Sequence, residues 1–348
     1  MWSPPRARSN VRKSSSTAEP ASPRKTTLRR LAFYGAFAAG VGPAVALAPR
    51  HDVLFASSPP MPGVLSAAAA AKVRGTPYVL DIRDLWPAAA EALGEVSHPA
   101  ALSLLLRAER WLYRNASRVT ATTAPFCRHV DEVAGRAVSV HVPNGALDEL
   151  LDRPSRPPSP NGPFVVGYAG NLGIAQGLGI VLDAAERLRG EPIRFRLVGD
   201  GPRAAALRHE SDRRGLTAVE FRPAVPVERV GDVLDQCHAL LVPLRAHPVL
   251  ADFIPSKLYD GMAAGRPVIV AAAGEAARLV GETGCGLVTE PEDGESLAAA
   301  VRTLAGDRER AGALGAAGRV AAREHARSRQ IERVDAVLTE VVRAGQAE

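Results

Sequence analysis

Lysine is nearly absent from this 348-residue chain. After Lys72 the only one is Lys257, and arginine carries every other fixed positive charge in that span. Aromatic residues make up 5%, too few for a surface that stacks the bases of single-stranded nucleic acid. Cys127, Cys237 and Cys285 stand far apart with no CxxC pair. That excludes a disulfide framework and fits a reduced, cytoplasmic compartment. The histidines show no HExxH or comparable spacing, so no structural or catalytic zinc is expected. Acid is scarce at the start: residues 1–30 carry eight basic side chains against Glu19, a balance of +7 in a chain whose net charge is +6. The remainder is therefore near neutral. A basic arm on a neutral body suits an anionic membrane surface better than a DNA-reading face. A disordered Ser/Pro/Arg-rich arm with no partner is the alternative.

Charge is also missing from "LAFYGAFAAGVGPAVALA", residues 31–48. Three readings compete: a weak transmembrane helix, a signal-peptide core ending at Ala46-Leu47-Ala48, and a buried or membrane-surface helix of the first domain. The Ala/Gly content and Pro43 weigh against spanning, and Pro49 just after the cut weighs against cleavage. The third reading is favoured.

From residue 52 onward, strand-like and helix-like stretches alternate. "DVLFA" (52–56), "PYVLDI" (77–82), "RVTATT" (118–123) and "VSVHVP" (138–143) read as strands, with helices near 63–74, 99–114 and 125–134. The proline-dense "LDRPSRPPSPNGP" (151–163) cannot continue either element and reads as an interdomain linker. A second series follows, with six strands from "FVVGYAG" (164–170) to "CGLVTE" (285–290), and helical sequence closes the chain from about 308. These strands are continuous apolar runs, as parallel strands covered on both faces should be. The expected fold is α/β: two Rossmann-like domains facing across a cleft, with function at the carboxyl ends of the strands. The domain limits read as 1–27 for the tail, 28–150 for the first domain, 164–310 for the second and 311–348 for terminal helices.

Five strand-end loops of the second domain carry candidate chemistry. Gly167–Gly173, with Gly170 and Asn171, offers backbone N–H groups to a phosphate or sugar, or is a plain turn. Gly199 opens a turn into a helix that can pack beside a base, or does nothing but turn. Arg245 ends the "ALLVP" strand and reaches a phosphate, or is a solvated arginine. Lys257 follows Pro255-Ser256 in the first turn of a short helix closed by Gly265. A cation there costs about 0.3–1 kcal/mol against the helix dipole. A charge-assisted bond to a phosphate returns about 1.5–3 kcal/mol. A bound diphosphate therefore accounts for the ammonium, and a surface pair with Asp260 is the bland alternative. Gly274-Glu275 opens the next helix and holds sugar hydroxyls, or simply caps it.

The segments "GYAGNLGIAQGLGIVLDAAERL", "FRLVGDGP", "LLVPLRAHPVLADFIPSKLYDGMAAGRPVIV" and "GEAARLV" together resemble the donor domain of glycosyltransferase family 4. "ASSPP" and "DIRDLWP" are similar to the first domain of its O-antigen and exopolysaccharide subgroup, which includes N-acetylfucosaminyl transferases. The resemblance spans about residues 28–310 and is most specific over 239–280. It implies the GT-B fold and retaining transfer from a nucleotide sugar, UDP-linked, to a lipid-linked or glycan acceptor in cell-surface polysaccharide synthesis. It implies no metal or other cofactor, no nucleic-acid partner, and a cytoplasmic location peripheral to the inner membrane face.

By the same resemblance, Lys257 and Arg245 neutralise the diphosphate and Asp260 meets the ribose. Asp252, eight residues before Asp260, makes D-x7-D of the family's E-x7-E. Glu275 faces the donor sugar, and Gly170 and Asn171 border it. Arg83-Asp84 stand where many members have His-Asp, with Ser58 on the acceptor side. Family members begin with a further strand, a glycine-rich loop and a βα unit, so the first domain is expected to be truncated. A non-catalytic nucleotide-sugar-binding remnant is the alternative, and a GT-B sugar-nucleotide epimerase a third.

Overall fold

The computed structural model describes residues 23–346 apart from 93, 95, 97, 157 and 160. Most of the basic arm, residues 1–22, lies outside the described residues. Its last part does not follow the expected boundary: α1 (Pro23–Leu47) starts within it. Nor is 31–48 buried. Phe33, Phe37 and Leu47 of α1 are exposed, and the helix rests on α2 (Met61–Val73) through small residues. A methyl on Gly63 would meet the Phe37 ring, and Ser66 Oγ donates to the Ala38 carbonyl at 2.6 Å.

The first sheet contains β1 (Leu54–Ser58), β2 (Tyr78–Ile82), β3 (Arg118–Ala121) and β4 (Ser139–His141), all parallel in the order β1-β2-β3-β4. Between them lie α2, α3 (Ala88–Ala92), α4 (Pro99–Asn115) and α5 (Ala124–Ala134). Helix α5 shows why such elements form where they do. Thr123 caps its start by accepting from Phe126 N, Pro125 sits in the first turn, and Gly135 closes it at φ 71°. Its inward residues Phe126 and Val130 join Leu80, Tyr78, Leu112 and Tyr113 in the core on that face.

The second sheet contains β5 (Phe164–Ala169), β6 (Ile193–Val198), β7 (Val219–Arg222), β8 (Ala239–Pro243), β9 (Val268–Ala271) and β10 (Gly286–Thr289). Its order is β10-β9-β8-β5-β6-β7, all parallel. Two βαβ series thus wind outward from β5 and β8, and the order reverses between them. On one face α7 (Gly179–Arg187), α8 (Ala204–Arg213) and α13 (Gly294–Gly306) enclose Phe164, Phe195, Leu182 and Leu297. On the other, α9 (Val230–Leu234), α11 (Ser256–Ala263), α12 (Glu275–Thr283) and the end of α14 (Arg308–Ala322) enclose Leu240, Tyr259, Met262 and Val280. The one-turn helix α10 (Pro248–Ala251) leads into α11.

The chain changes domain earlier than its proline content suggests. Ala146 and Leu150, the latter on α6 (Asp148–Asp152), already belong to the second core, so the crossing lies just after β4. The apolar residues of "GALDELL" dock before the prolines begin, and Ser155 is then tied to the second domain, its Oγ donating to Ala264 O at 3.2 Å. The chain then recrosses. Helix α15 (Arg327–Gln346) covers the far face of the first sheet, where Val337 and Val341 pack on Val79. The two crossings lie side by side: Ala146 N donates to His325 O at 2.7 Å and Arg327 N to Ala146 O at 2.9 Å.

Candidate active site

Parallel sheets leave a crevice outside their carboxyl edge where the strand order reverses. Here that point lies between β5 and β8, and Lys257 is found beside it. Its ammonium donates to the Tyr168 hydroxyl at 2.7 Å and lies 4.1 Å from the centre of that ring. Tyr168 is the fifth residue of β5, 1% exposed, and its hydroxyl donates in turn to the Asn171 carbonyl at 2.5 Å. Desolvation lowers Lys257 to about 8. The helix it begins, α11, has no side-chain cap at its start, so the first-turn N–H groups have no side chain to satisfy them.

The glycines around it are needed for close approach. Gly170 has φ 140°, and a methyl there would lie 3.2 Å from Lys257 Nζ. Gly199, at φ 150°, could carry no Cβ at all, because the atom would fall 1.9 Å from the Gly170 carbonyl oxygen. The turns after β5 and β6 are thus packed backbone to backbone. Leu172 N donates to Asp200 O at 2.8 Å and Arg203 N to Leu172 O at 2.9 Å. Exposed Gly170 and Asn171 form the outer surface of this pack.

Gly274 performs the same task beside β9, since a Cβ there would come within 2.0 Å of Ala251 O. This brings the start of α12 against the end of α10 and sets Glu275 near Asp252. Burial, and then the Glu275 carboxylate, push Asp252 above its ordinary value. Arg278 holds Glu275 through two bonds, at 2.7 and 3.3 Å. Asp260 faces a small cavity shared with Lys257, Gly167 and Ala169, and its Oδ1 accepts from Leu147 N at 3.1 Å. Burial raises its carboxyl as well.

Arg245 has other neighbours. It lines a separate pocket of about 450 Å³ with Gly177, Gly179, Arg203 and Glu292. Its Nε donates to Glu292 Oε1 at 3.2 Å, and Ala246 N donates to the other carboxylate oxygen at 2.9 Å. Glu292 holds this clamp from φ 58°, the only positive φ of a non-glycine among the described residues. The structure therefore groups Lys257, Gly170, Asn171 and Asp260, and sets Arg245 with Glu292.

The first domain presents the ends of β1, β2 and β3. Asp81, 6% exposed, ties them together, accepting from Ser57 Oγ at 2.9 Å and Thr120 Oγ1 at 2.8 Å. Arg83 is exposed and stands 3.4 Å from Asp81. Ser58 is buried at the end of β1. Asp84 is raised by burial, and the Arg83 charge opposes the rise. In the same domain, His129 on α5 is bonded at 3.1 Å to buried Glu109, which raises it. The Phe126 and Phe253 rings meet edge to face at 4.9 Å and join the two domains. No group of three His, Cys, Asp or Glu side chains is placed to hold a metal among the described residues.

Tyr168, Asp81, Glu109, His129 and Glu292 were not among the candidates read from sequence. Tyr168 and Asp81 had a weak signal. Each is a polar group inside an otherwise apolar strand, at the end that faces the cleft.

Two family models match consecutive parts of the chain: a glycosyl transferase 4-like domain over residues 3–145 and glycosyl transferases group 1 over 163–307. Both halves are thus glycosyltransferase domains, and the fold is GT-B. Over 169 residues the chain is 31% identical to an Escherichia coli K12 protein named as a colanic acid biosynthesis glycosyl transferase, WcaI, covering 47% of this chain and 40% of that protein. Over 260 residues it is 24% identical to WbjE of Pseudomonas aeruginosa, named as a glycosyltransferase, covering 72% and 65%. The chain thus spans about half the length of the curated relatives it matches. Among solved structures, Anabaena HepE in complex with UDP-glucose superposes with a TM-score of 0.71 at 20% identity, over 87% of this chain and 82% of that one. No helix among the described residues is long and apolar enough to cross a membrane.

Proposed function

We propose that the protein transfers a sugar, with retention, from a UDP-linked donor to a hydroxyl of a lipid-linked or glycan acceptor in cell-surface polysaccharide synthesis. The observation that carries this reading is the Lys257 ammonium, held against Gly170 at the switch point with an uncapped helix start beside it. A diphosphate there satisfies the amine, the first-turn N–H groups of α11 and the dipole together.

In this reading the bond from the anomeric carbon to the phosphate oxygen breaks, and its electron pair leaves with the nucleoside diphosphate. The acceptor hydroxyl attacks from the same face and passes its proton to the departing phosphate oxygen. Lys257 stabilises the growing charge, and Arg245 joins it if its Glu292 clamp opens. Gly170 and Asn171 border the donor, Gly199 keeps the Gly170 turn in place, and Glu275 and Asp252 hold sugar hydroxyls. The free Oδ2 of Asp260 meets the ribose. Ser58, Arg83 and Asp84 line the acceptor side, and positioning supplies most of the acceleration. The nucleotide sugar is the substrate and no further cofactor takes part. The protein works in the cytoplasm, peripheral to the inner membrane face, and the anionic membrane is its second partner.

Calorimetry with UDP and UDP-hexoses, followed by NMR of the product, tests this. Saturable UDP binding with donor turnover and a retained anomeric configuration is expected. Binding without transfer or hydrolysis would assign the chain as a binding remnant, epimerised free donor would make it an isomerase, and no binding would end the reading.

A further inference from the structure

Among the described residues, half of the large apolar side chains that face solvent belong to three helices of the first domain. They are Phe33, Phe37 and Leu47 on α1, Val73 on α2, and Leu104 and Leu106 on α4. These helices adjoin, since α2 touches both α1 and α4. Their sequences hold eight basic residues: Arg24, Lys25, Arg29 and Arg30 in α1, Lys72 in α2, and Arg107, Arg110 and Arg114 in α4. Their single acid, Glu109, is 2% exposed and spent on Tyr113 and His129 inside the domain. Arg107, Arg110 and Arg114 are all exposed, and none makes an ion pair among the described residues. In the second domain the arginines are routinely paired, as Arg153 is with Asp232 and Arg214 with Asp183.

An apolar stripe with unpaired cations and no exposed acid is the wrong surface for a protein partner of mixed charge and the right one for anionic headgroups over acyl chains. On α4, the leucines precede the arginines along the outward stripe, and a shallow groove of about 380 Å³ runs over Leu102, Leu106, Arg107 and Arg110. Orientation is fixed by the fold. A helix following a parallel strand starts at that strand's carboxyl end, so α2 and α4 both begin on the cleft side. Helix α1 runs parallel to α2, because Phe37 meets Gly63 while the Ala46 carbonyl accepts from Arg74. Its basic first turns therefore project beyond the start of α2, toward the cleft mouth.

We infer that the outer face of α1, α2 and α4 docks on an anionic lipid bilayer, with the cleft opening beside the membrane. The docking is independent of sugar transfer, so it is tested without donor or acceptor. Flotation of the full chain with phosphatidylglycerol–phosphatidylcholine vesicles should show partitioning that phosphatidylcholine alone does not support and that 0.5 M salt removes. Arg107→Gln/Arg110→Gln/Arg114→Gln should weaken partitioning about 100-fold, at roughly five-fold per arginine near such a surface. Leu104→Ser/Leu106→Ser should weaken it about ten-fold. All five changes are at exposed positions, so thermal melts of both variants should match the parent and show that folding is intact. Absence of binding to the anionic vesicles overturns the inference, as does undiminished binding of the arginine variant. So does binding lost only on changing Arg6, Arg8, Arg12 and Lys13, or a parent dimer that the variant dissolves.

Discussion

The two sheets follow one strand–helix rhythm and end in different surfaces. In the second domain the carboxyl edge is made of glycine turns that pack backbone to backbone beside the half-buried Lys257 amine. In the first domain the same edge is tied by a carboxylate, with Asp81 bonded to hydroxyls on both neighbouring strands. The strands differ as well. β8 and β9 are buried throughout, whereas β1 alternates and leaves Phe55 42% exposed. The edge of the second domain suits an anion, and that of the first suits neutral hydroxyl groups. The shared architecture does not distinguish these roles; residue choice at the strand ends does.

A single added methyl group in each domain should separate the two most strongly. Gly199→Ala places an atom on the Gly170 carbonyl and should cost about 3–4 kcal/mol in urea unfolding. Gly135→Ala has open space and only its positive φ against it, so about 1 kcal/mol is expected. Equal losses would show that the glycine pack has no special role.

Next in size is Lys257→Ala, which should weaken UDP binding by about 2–3 kcal/mol in calorimetry at pH 7. Arg83→Ala, on the other edge, should leave it unchanged. If both variants bind UDP like the parent, the assignment of the two edges fails.

The same amine gives a pH signature. Its folded value is about 8, below the ordinary lysine value of 10.5. Above pH 8 the free site is neutral, so UDP affinity should fall by up to ten-fold per pH unit, and the Lys257→Ala profile should stay flat over that range. Stability moves the other way. The buried charge weighs on the free fold fully below pH 8, and that cost is relieved as pH rises from about 8 to 10.5, where the unfolded chain alone keeps the proton.

The smallest expected effect is that of Tyr168→Phe, about five-fold in UDP affinity with an unchanged melting temperature, since one hydroxyl links the amine to the Asn171 turn. A variant that melts early with normal affinity would make Tyr168 a core residue and nothing more.

All ten strands were legible in the sequence, because each appears as a short run rich in apolar and β-branched residues between turn residues. Lys257 was legible because a cation in a first helical turn is locally unfavourable. Its partner was not. Tyr168 lies 89 positions earlier and meets it only through the order of β5 and β8. The pairing of Arg245 with Glu292 was hidden in the same way, across 47 positions. The domain crossing was misplaced because proline density marks where a chain cannot be regular, while Ala146 and Leu150 decide where it begins to pack.

The return of α15 has a consequence for biosynthesis. Residues emerge from the ribosome in order, yet one face of the earliest sheet is closed by Val337 and Val341 near the end of the chain. That half must wait, one side bare, while the second half is made and can collapse on its own. A nascent chain stalled after residue 326 would hold a finished second half and an unsealed first, making the last helix the rivet of the assembly.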